Sequence, residues 1–342
     1  MTHATQDRYS RQILFAPIGA DGQARLRGSH ALVVGCGGLG AEVANLLARA
    51  GVGRLRIVDR DVVDVTNLQR QALFDEADAR DCLPKAVAAA RHLARINADV
   101  AVEPLVADVN ATNVLELLAG VELVIDGFDN FEGRYLLNDA CVRTGTPWIH
   151  GACVSGEGLT TTVVPGRTPC LRCLNPEPPP TGAVPTCDTV GILGPVAHLV
   201  ASLEAAQALR WLATRTVPEP AVLVTVDAWD LRLHRVTLPG PQPACPCCGE
   251  RRFEFLDAAL APAIELCGRD AVLVRAHSGG RPDLDALAAR LRPHGELLVN
   301  EFVLRFRAEG RELVLFRDGR TIVKGTTDSA LARSLVARWF GA

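Results

Sequence analysis

The sequence predicts an α/β protein built on a mostly parallel sheet with helices on both faces, followed by a small C-terminal α+β domain. Three observations carry this. Up to residue 150, short apolar runs alternate with segments patterned at helical spacing, strand then helix, which makes neighbouring strands parallel and puts the crossovers on the faces. The first apolar run, Ala31 to Val34, stops at Gly35, Gly37, Gly38 and Gly40, and a helical pattern with Val43, Leu46, Leu47 and Ala50 follows. Beyond Gly249 the pattern changes to short strands punctuated by Gly310 and Asp318-Gly319. The expected domains are residues 1–250 and 257–342.

The glycine stretch reads as buried strand, tight turn, helix, and makes the sheet Rossmann-like. Glycines let the backbone turn sharply and let a phosphate approach with no Cβ in the way. The following helix aims free N–H groups and its positive dipole end at that anion. A second strand, Arg54 to Val58, ends in Asp59, where a ribose-binding carboxylate is expected. Such a turn fits a nicotinamide enzyme, a flavin enzyme, an ATP user or a bare structural turn.

In chain order, a polar end (residues 1–7) leads to Arg8-Tyr9-Ser10-Arg11-Gln12 and a short helix across Asp21 to Arg27. After Asp59, the segment holding Asp61, Asn67, Arg70 and Gln71 is a polar loop at the carboxyl edge of the sheet, the usual ligand side. Leu83-Pro84-Lys85 opens a helix to Ile96, with Pro84 in its first turn. A lysine there opposes the helix dipole; either a bound phosphate repairs the conflict or the side chain runs out to water. Val100 to Pro104, Leu123 to Ile125 and Trp148 to His150 are further strands, with helices at Asn113 to Leu118 and Arg134 to Thr144. Asp126-Gly127-Phe128-Asp129-Asn130 lies past the fourth strand's end, where a carboxylate can hold Mg²⁺ or orient a ribose. Thr160 to Val164 is an antiparallel addition, and Pro195 opens another helix. In the C-terminal domain, Val272 to Arg275 and Leu297 to Val299 are strands, and Phe302 to Arg307, Glu312 to Phe316 and Thr321 to Val323 form a meander with one wet face. Asp283 to Leu291 and Ser329 to Phe340 are its helices.

A net charge of −3 predicts no general affinity for nucleic acid or an anionic membrane, and no apolar stretch is uninterrupted enough to span one. No basic segment followed by an apolar one opens the chain, so no secretory signal is expected. Eleven cysteines then point to a reducing compartment, the cytoplasm, where paired cysteines favour metal over disulfide.

Cys170-Leu171-Arg172-Cys173 and Cys245-Pro246-Cys247-Cys248 are two C-x-x-C knuckles. Together Cys170, Cys173, Cys245 and Cys248 read as a closed, structural four-sulfur Zn²⁺ site, with Cys247 spare, against redox dithiols or incidental cysteines. Cys187 stands alone after the Pro-rich 176–180 stretch and is either a nucleophile or persulfide carrier, or a loop thiol with no catalytic duty. Cys36, Cys82, Cys141, Cys153 and Cys267 read as small core residues.

In one order, Arg8 to Gln12, Gly35 to Gly40, Asn67-Leu68-Gln69-Arg70-Gln71, Pro84-Lys85, Asp126 to Asn130 and the two knuckles closely resemble the ThiF/MoeB/HesA adenylyltransferases, relatives of the ubiquitin-activating enzymes, over residues 8–250. The resemblance implies ATP-dependent adenylation of the C-terminal glycine of a ubiquitin-like sulfur carrier ending in Gly-Gly, releasing pyrophosphate, in thiamine, molybdopterin or tRNA thiolation pathways. It implies that Gly35, Gly37, Gly38, Gly40 and Asp59, with Asp61, Asn67, Gln71 and Asn130 alongside, hold the nucleotide. Arg70 and Lys85 would neutralise the triphosphate, Asp129 would hold Mg²⁺, and Arg11 would reach across a homodimer interface. It also puts Cys187 where some relatives form an acyl or persulfide adduct.

Two departures stand out. Cys82 occupies a place where the family has glycine, and no C-terminal rhodanese domain is found, so the sulfur donor is expected to be a separate protein, a cysteine desulfurase or rhodanese. The competing readings are a ThiF-like tRNA threonylcarbamoyladenosine dehydratase, which the net charge does not favour, a nicotinamide dehydrogenase, and a non-catalytic ATP- or carrier-binding scaffold. For residues 257–342 the expectation is a docking module for the carrier or sulfur donor, with Arg305, Arg307 and Arg311 on a solvated face.

Overall fold

The computed structural model describes residues 8–180, 183–257, 263–266, 270–275 and 281–341. The chain divides into two compact units, one of Met1–Arg80, Pro84–Pro185 and Ile192–Ala258, the other of Asp81–Leu83, Thr186–Gly191 and Ala259–Ala342.

The first unit holds an eight-stranded sheet in the order β3-β2-β1-β4-β5-β6-β7-β8. Its strands are β1 (His30–Val34), β2 (Arg54–Asp59), β3 (Ala101–Val106), β4 (Leu123–Asp126), β5 (Trp148–Val154), β6 (Glu157–Val163), β7 (Val222–Asp227) and β8 (Arg232–Thr237). The pairs from β3 to β5 are parallel and those from β5 to β8 antiparallel. Because β1 is flanked by β2 and β4, the chain reverses its direction of growth there and leaves a crevice at the carboxyl ends of β1 and β4. Every residue of β1 is buried, as a strand covered on both faces requires.

The longer helices of this unit are α1 (Gly19–Gly28), α2 (Gly40–Arg49), α3 (Lys85–Ile96), α4 (Phe131–Thr144) and α5 (Gly194–Thr214). Asn130 caps α4 by accepting the Gly133 N–H at 2.8 Å, and Gly145 ends it in the left-handed region. Helix α5 packs on α1, α2, β4, β5 and β6 through a buried row, Val196, Val200, Ala208 and Leu212, spaced four apart. Burial of each Val or Leu there contributes about 1.5–3 kcal/mol. Glu204 occupies the middle of that row. The region 113–118 is reduced to one short helix, Val114–Leu117. Pro84 precedes α3 as its N-cap instead of lying in its first turn. The β7–β8 hairpin was not anticipated, although the Val- and Thr-rich run Val222 to Val226 and the turn accepted by Asp227 are its local signals.

The second unit holds an antiparallel sheet in the order β11-β12-β13-β14-β10-β9. These strands are β9 (Ala263–Leu266), β10 (Ala271–Val274), β11 (Glu296–Val299), β12 (Val303–Ala308), β13 (Arg311–Phe316) and β14 (Thr321–Lys324). Leu284, Ala288 and Leu291 of α6 (Leu284–Leu291) and Ala332, Leu335, Val336 and Phe340 of α7 (Ser329–Phe340) pack with Leu304, Phe306, Leu313 and Leu315. Asp283 and Asp328 cap the two helices. Val303, Val314 and Phe316 are buried too, so the expected wet face is narrower than alternation implied. Arg307 is exposed, bonding Glu312, whereas Arg305 and Arg311 are half-buried.

Candidate functional site

The turn after β1 is glycine by necessity at its ends. Gly35 has φ +85°, and a Cβ there would lie 2.5 Å from the Gly127 carbonyl oxygen. A Cβ on Gly40 or Gly127 would collide with the Gly35 carbonyl oxygen. These three glycines therefore bring the turns after β1 and β4 together. Gly37 differs: a Cβ there would meet only Gln71 Nε2, at 3.8 Å. A Cβ on Gly38 would be in ordinary contact with Ala197 and Arg70. The missing side chains at Gly37 and Gly38 leave space at the carboxyl edge of the sheet, the room a phosphate needs.

Asp59 closes β2 with both oxygens engaged: Oδ2 accepts the Cys36 N–H at 2.6 Å and Oδ1 the Asp61 N–H at 2.7 Å. Burial pushes its carboxyl above the ordinary range, Lys85 pulls it back, and Asp61 adds to the rise. Lys85 is 2% exposed, and its Nζ lies 3.3 Å from Asp61 Oδ2. Of the two readings for this lysine, the one that runs it out to water falls: Asp61, not solvent, answers its charge. Asn67 closes a capping box with Asp64 around a single 3₁₀ turn, Val65–Asn67. That turn carries the chain to Arg70, whose guanidinium donates to the Thr66 carbonyl at 3.1 Å, and to buried Gln71. Gln71 Oε1 is buried with no hydrogen-bond partner among the described residues, an acceptor waiting for a donor.

Asp129 is exposed past the end of β4, with Oδ1 accepting from Asn130 Nδ2 at 3.1 Å. Asp126, the other carboxylate of this loop, is fully buried: Oδ1 accepts the Phe128 N–H at 3.0 Å and Oδ2 lies 2.8 Å from His150 Nδ1. It is occupied inside the protein. Arg11 is exposed on the short helix Ser10–Ile13. Cys187 is half-buried and opens a single helical turn capped by Thr186, in the second unit.

The two knuckles converge. The sulfurs of Cys170, Cys173, Cys245 and Cys248 all lie within 4.8 Å of one another, with separations of 3.8 Å (Cys170–Cys173), 3.6 Å (Cys170–Cys245) and 3.3 Å (Cys173–Cys248). A tetrahedral four-thiolate zinc needs sulfurs about 3.8 Å apart, whereas a disulfide needs about 2 Å. The hydrogen bond with Cys247 pulls the Cys170 thiol down to about 4, while burial holds Cys173 and Cys248 up. A cation is what would deprotonate the whole set. Asn138, fully buried on α4, joins the knuckles by donating to Cys247 Sγ at 3.2 Å and accepting the Leu171 N–H at 2.9 Å. Cys36, Cys82 and Cys141 are buried as expected, Cys153 is only half-buried, and Cys267 lies outside the described residues.

Sequence reasoning missed Arg134, His150 and Glu204. The one available signal was a glutamate in the apolar row of α5.

A Rossmann-like domain with a glycine-walled turn at its switch point and a four-cysteine tie is the class these features define. Residues 9–247 match the ThiF family. The chain is 45% identical over 337 residues to Sulfur carrier protein ThiS adenylyltransferase of Bacillus subtilis (strain 168), covering 98% of this chain and 99% of that protein. It is 45% identical over 255 residues to SAMP-activating enzyme E1 of Haloferax volcanii, covering 74% of this chain and 93% of that protein. Among solved structures, E. coli MccB crystallised with ATP aligns with a TM-score of 0.62 at 25% identity, over 71% of this chain and 74% of that chain. The chain belongs to the ThiF family.

Proposed function

We propose that this protein adenylates the C-terminal glycine carboxylate of a ubiquitin-like, ThiS-type sulfur carrier, using ATP and releasing pyrophosphate. The observation that carries the reading is the likeness to a ThiS adenylyltransferase along nearly the whole chain, 98% of it, beside the glycine turn and buried Lys85 of this structure. A carrier carboxylate oxygen bonds to the α-phosphorus as the bond to the bridging oxygen breaks, and pyrophosphate leaves with that electron pair. No proton moves, so catalysis reduces to alignment and charge neutralisation.

In this reading Gly37 and Gly38 admit the phosphates to the end of α2, and Asp59 and Gln71 Oε1 accept from the nucleoside. Asn67 and Asn130 shape the loops beside it. Arg70 and Lys85 offset phosphate charge, with Asp61 holding Lys85 until the nucleotide arrives. Asp129 offers Mg²⁺ an oxygen ligand, and the ion, when bound, spreads the charge of the leaving pyrophosphate. Exposed Arg11 serves the neighbouring site of a homodimer. The four-cysteine cluster holds Zn²⁺ as a structural tie, since four thiolates leave no position for substrate. Cys187 acts only after adenylation, if a separate sulfur donor passes sulfur through it.

ATP–pyrophosphate exchange with each ubiquitin-like carrier of the source organism tests the reading. Exchange that requires one carrier and vanishes when its last glycine is removed is the expected result. ATP binding without exchange in the presence of any carrier would refute it.

A further inference from the structure

Four ionisable side chains lie buried around the carboxyl end of β4: Asp126 and, from α5, Glu204 at 0% exposure, His150 of β5 at 7% and Arg134 of α4 at 8%. Asp126 Oδ2 accepts from His150 Nδ1 and pairs with Arg134 Nε at 3.4 Å. Its Oδ1 accepts the Phe128 N–H at 3.0 Å. Arg134 Nη2 donates to the Phe128 carbonyl at 2.7 Å and to the Gly151 carbonyl at 3.4 Å. Both backbone polar groups of Phe128 are thus held by buried, charged side chains, and Phe128 is the residue before Asp129. Glu204 completes the cluster: its oxygens have no hydrogen-bond partner among the described residues, and a Cβ on Gly151 would collide with them. Burial, reinforced by Asp126, raises its carboxyl well above the usual range, and Arg134 pairs with Asp126.

We propose that Arg134 is a positioning residue: with Asp126 it grips the Phe128 peptide units, fixes the segment that presents Asp129, and acts on metal-dependent nucleotide binding through Asp129. This rests on the reading that Asp129 holds Mg²⁺. A charge-assisted hydrogen bond to a carbonyl is directional, so the guanidinium's second donor is what sets the loop, and a bare positive charge would not replace it. A purely structural Arg134 would only neutralise Asp126, which lysine does as well.

The test uses the full chain without carrier and measures ATP dissociation constants in metal-free buffer and with saturating Mg²⁺. No chelator is added, so the cysteine cluster is left alone. The ratio of the two constants is the readout, with thermal melting alongside. Asp129→Asn is expected to bring the ratio close to 1. Arg134→Lys is expected to cut the wild-type ratio roughly tenfold while leaving the metal-free constant unchanged. If Asp129→Asn leaves the ratio unchanged, the metal assignment falls and the inference with it. If Asp129→Asn lowers it but Arg134→Lys does not, or shifts both constants equally, the assignment stands and the inference is overturned. Should Arg134→Lys fail to fold, His150→Leu removes Asp126's other donor: a lowered ratio supports the clamp, and an unchanged one refutes it.

Discussion

Replacing Lys85 by methionine keeps most of the side chain's length and removes its charge from a site that is 2% exposed. Asp59 and Asp61, 8% exposed each, then lie buried with no lysine between them. Breaking a buried pair on one side costs about 3–5 kcal/mol, because the remaining charge is uncompensated. In a unit of this size each kcal/mol lowers the melting temperature by about 2–4 °C, so a fall of about 6–20 °C is expected near neutral pH. The loss should depend on pH. Burial already holds Asp59 above its ordinary value against the pull of Lys85. A carboxyl raised in the folded state favours folding below its unfolded value and loses that contribution as pH rises through the folded value. Without Lys85 the rise is larger, so the deficit against the parent protein should widen as pH rises above the ordinary carboxylate range. Adding Asp61→Asn should restore much of the stability but none of the activity. Thermal melting across that rise in pH, monitored by circular dichroism, is the assay. A deficit under about 2 °C, or one independent of pH, would refute the claim that Lys85 carries the charge balance of this site.

Gly35→Ala should fail to accumulate as folded protein, since φ is +85° and the new methyl would press on Gly127; Gly37→Ala, with open space around it, should melt normally and bind ATP at least tenfold more weakly by isothermal titration, a loss of about 1.4 kcal/mol. Metal analysis should find one zinc per chain, and Cys245→Ser should lower both the zinc content and the melting temperature; full stability in the zinc-free protein would make the four sulfurs incidental. In the second unit, burial raises Glu312, but its bonds to Lys324 and Arg307 outweigh that and hold it below the usual range. Its contribution is present above the unfolded value and lost as pH falls through the folded one, so Glu312→Gln should cost about 1 kcal/mol at neutral pH and nothing in acid, read from paired urea melts.

Much of this could be read along the chain. The boundaries of α7, expected at Ser329 to Phe340, need no adjustment, and β1, β2 and β4 fall within two residues of their apolar runs. Periodicity, capping and turn chemistry are written within about ten residues, so they survive without tertiary context. The same holds for the glycines after β1 and for the knuckle spacing. The failures are of another kind. Lys85 looked as ready to run to solvent as to stay, Asp126 looked as available as Asp129, and Arg134 and His150 drew no attention. Each outcome depends on a partner brought in by the fold: Asp61 for Lys85, and His150 from the next strand for Asp126.

The sequence alone therefore determined the mostly parallel sheet with helices on both faces, the glycine turn, the two cysteine pairs and the family they resemble. All of these are local patterns in a fixed order. Only the tertiary structure decided which of two neighbouring carboxylates faces solvent, which amide links the two knuckles, and that a glutamate lies fully buried inside an apolar row. Those are questions of burial and pairing between residues up to about a hundred positions apart, and the cost of desolvating a charge is set by what the folded chain puts beside it.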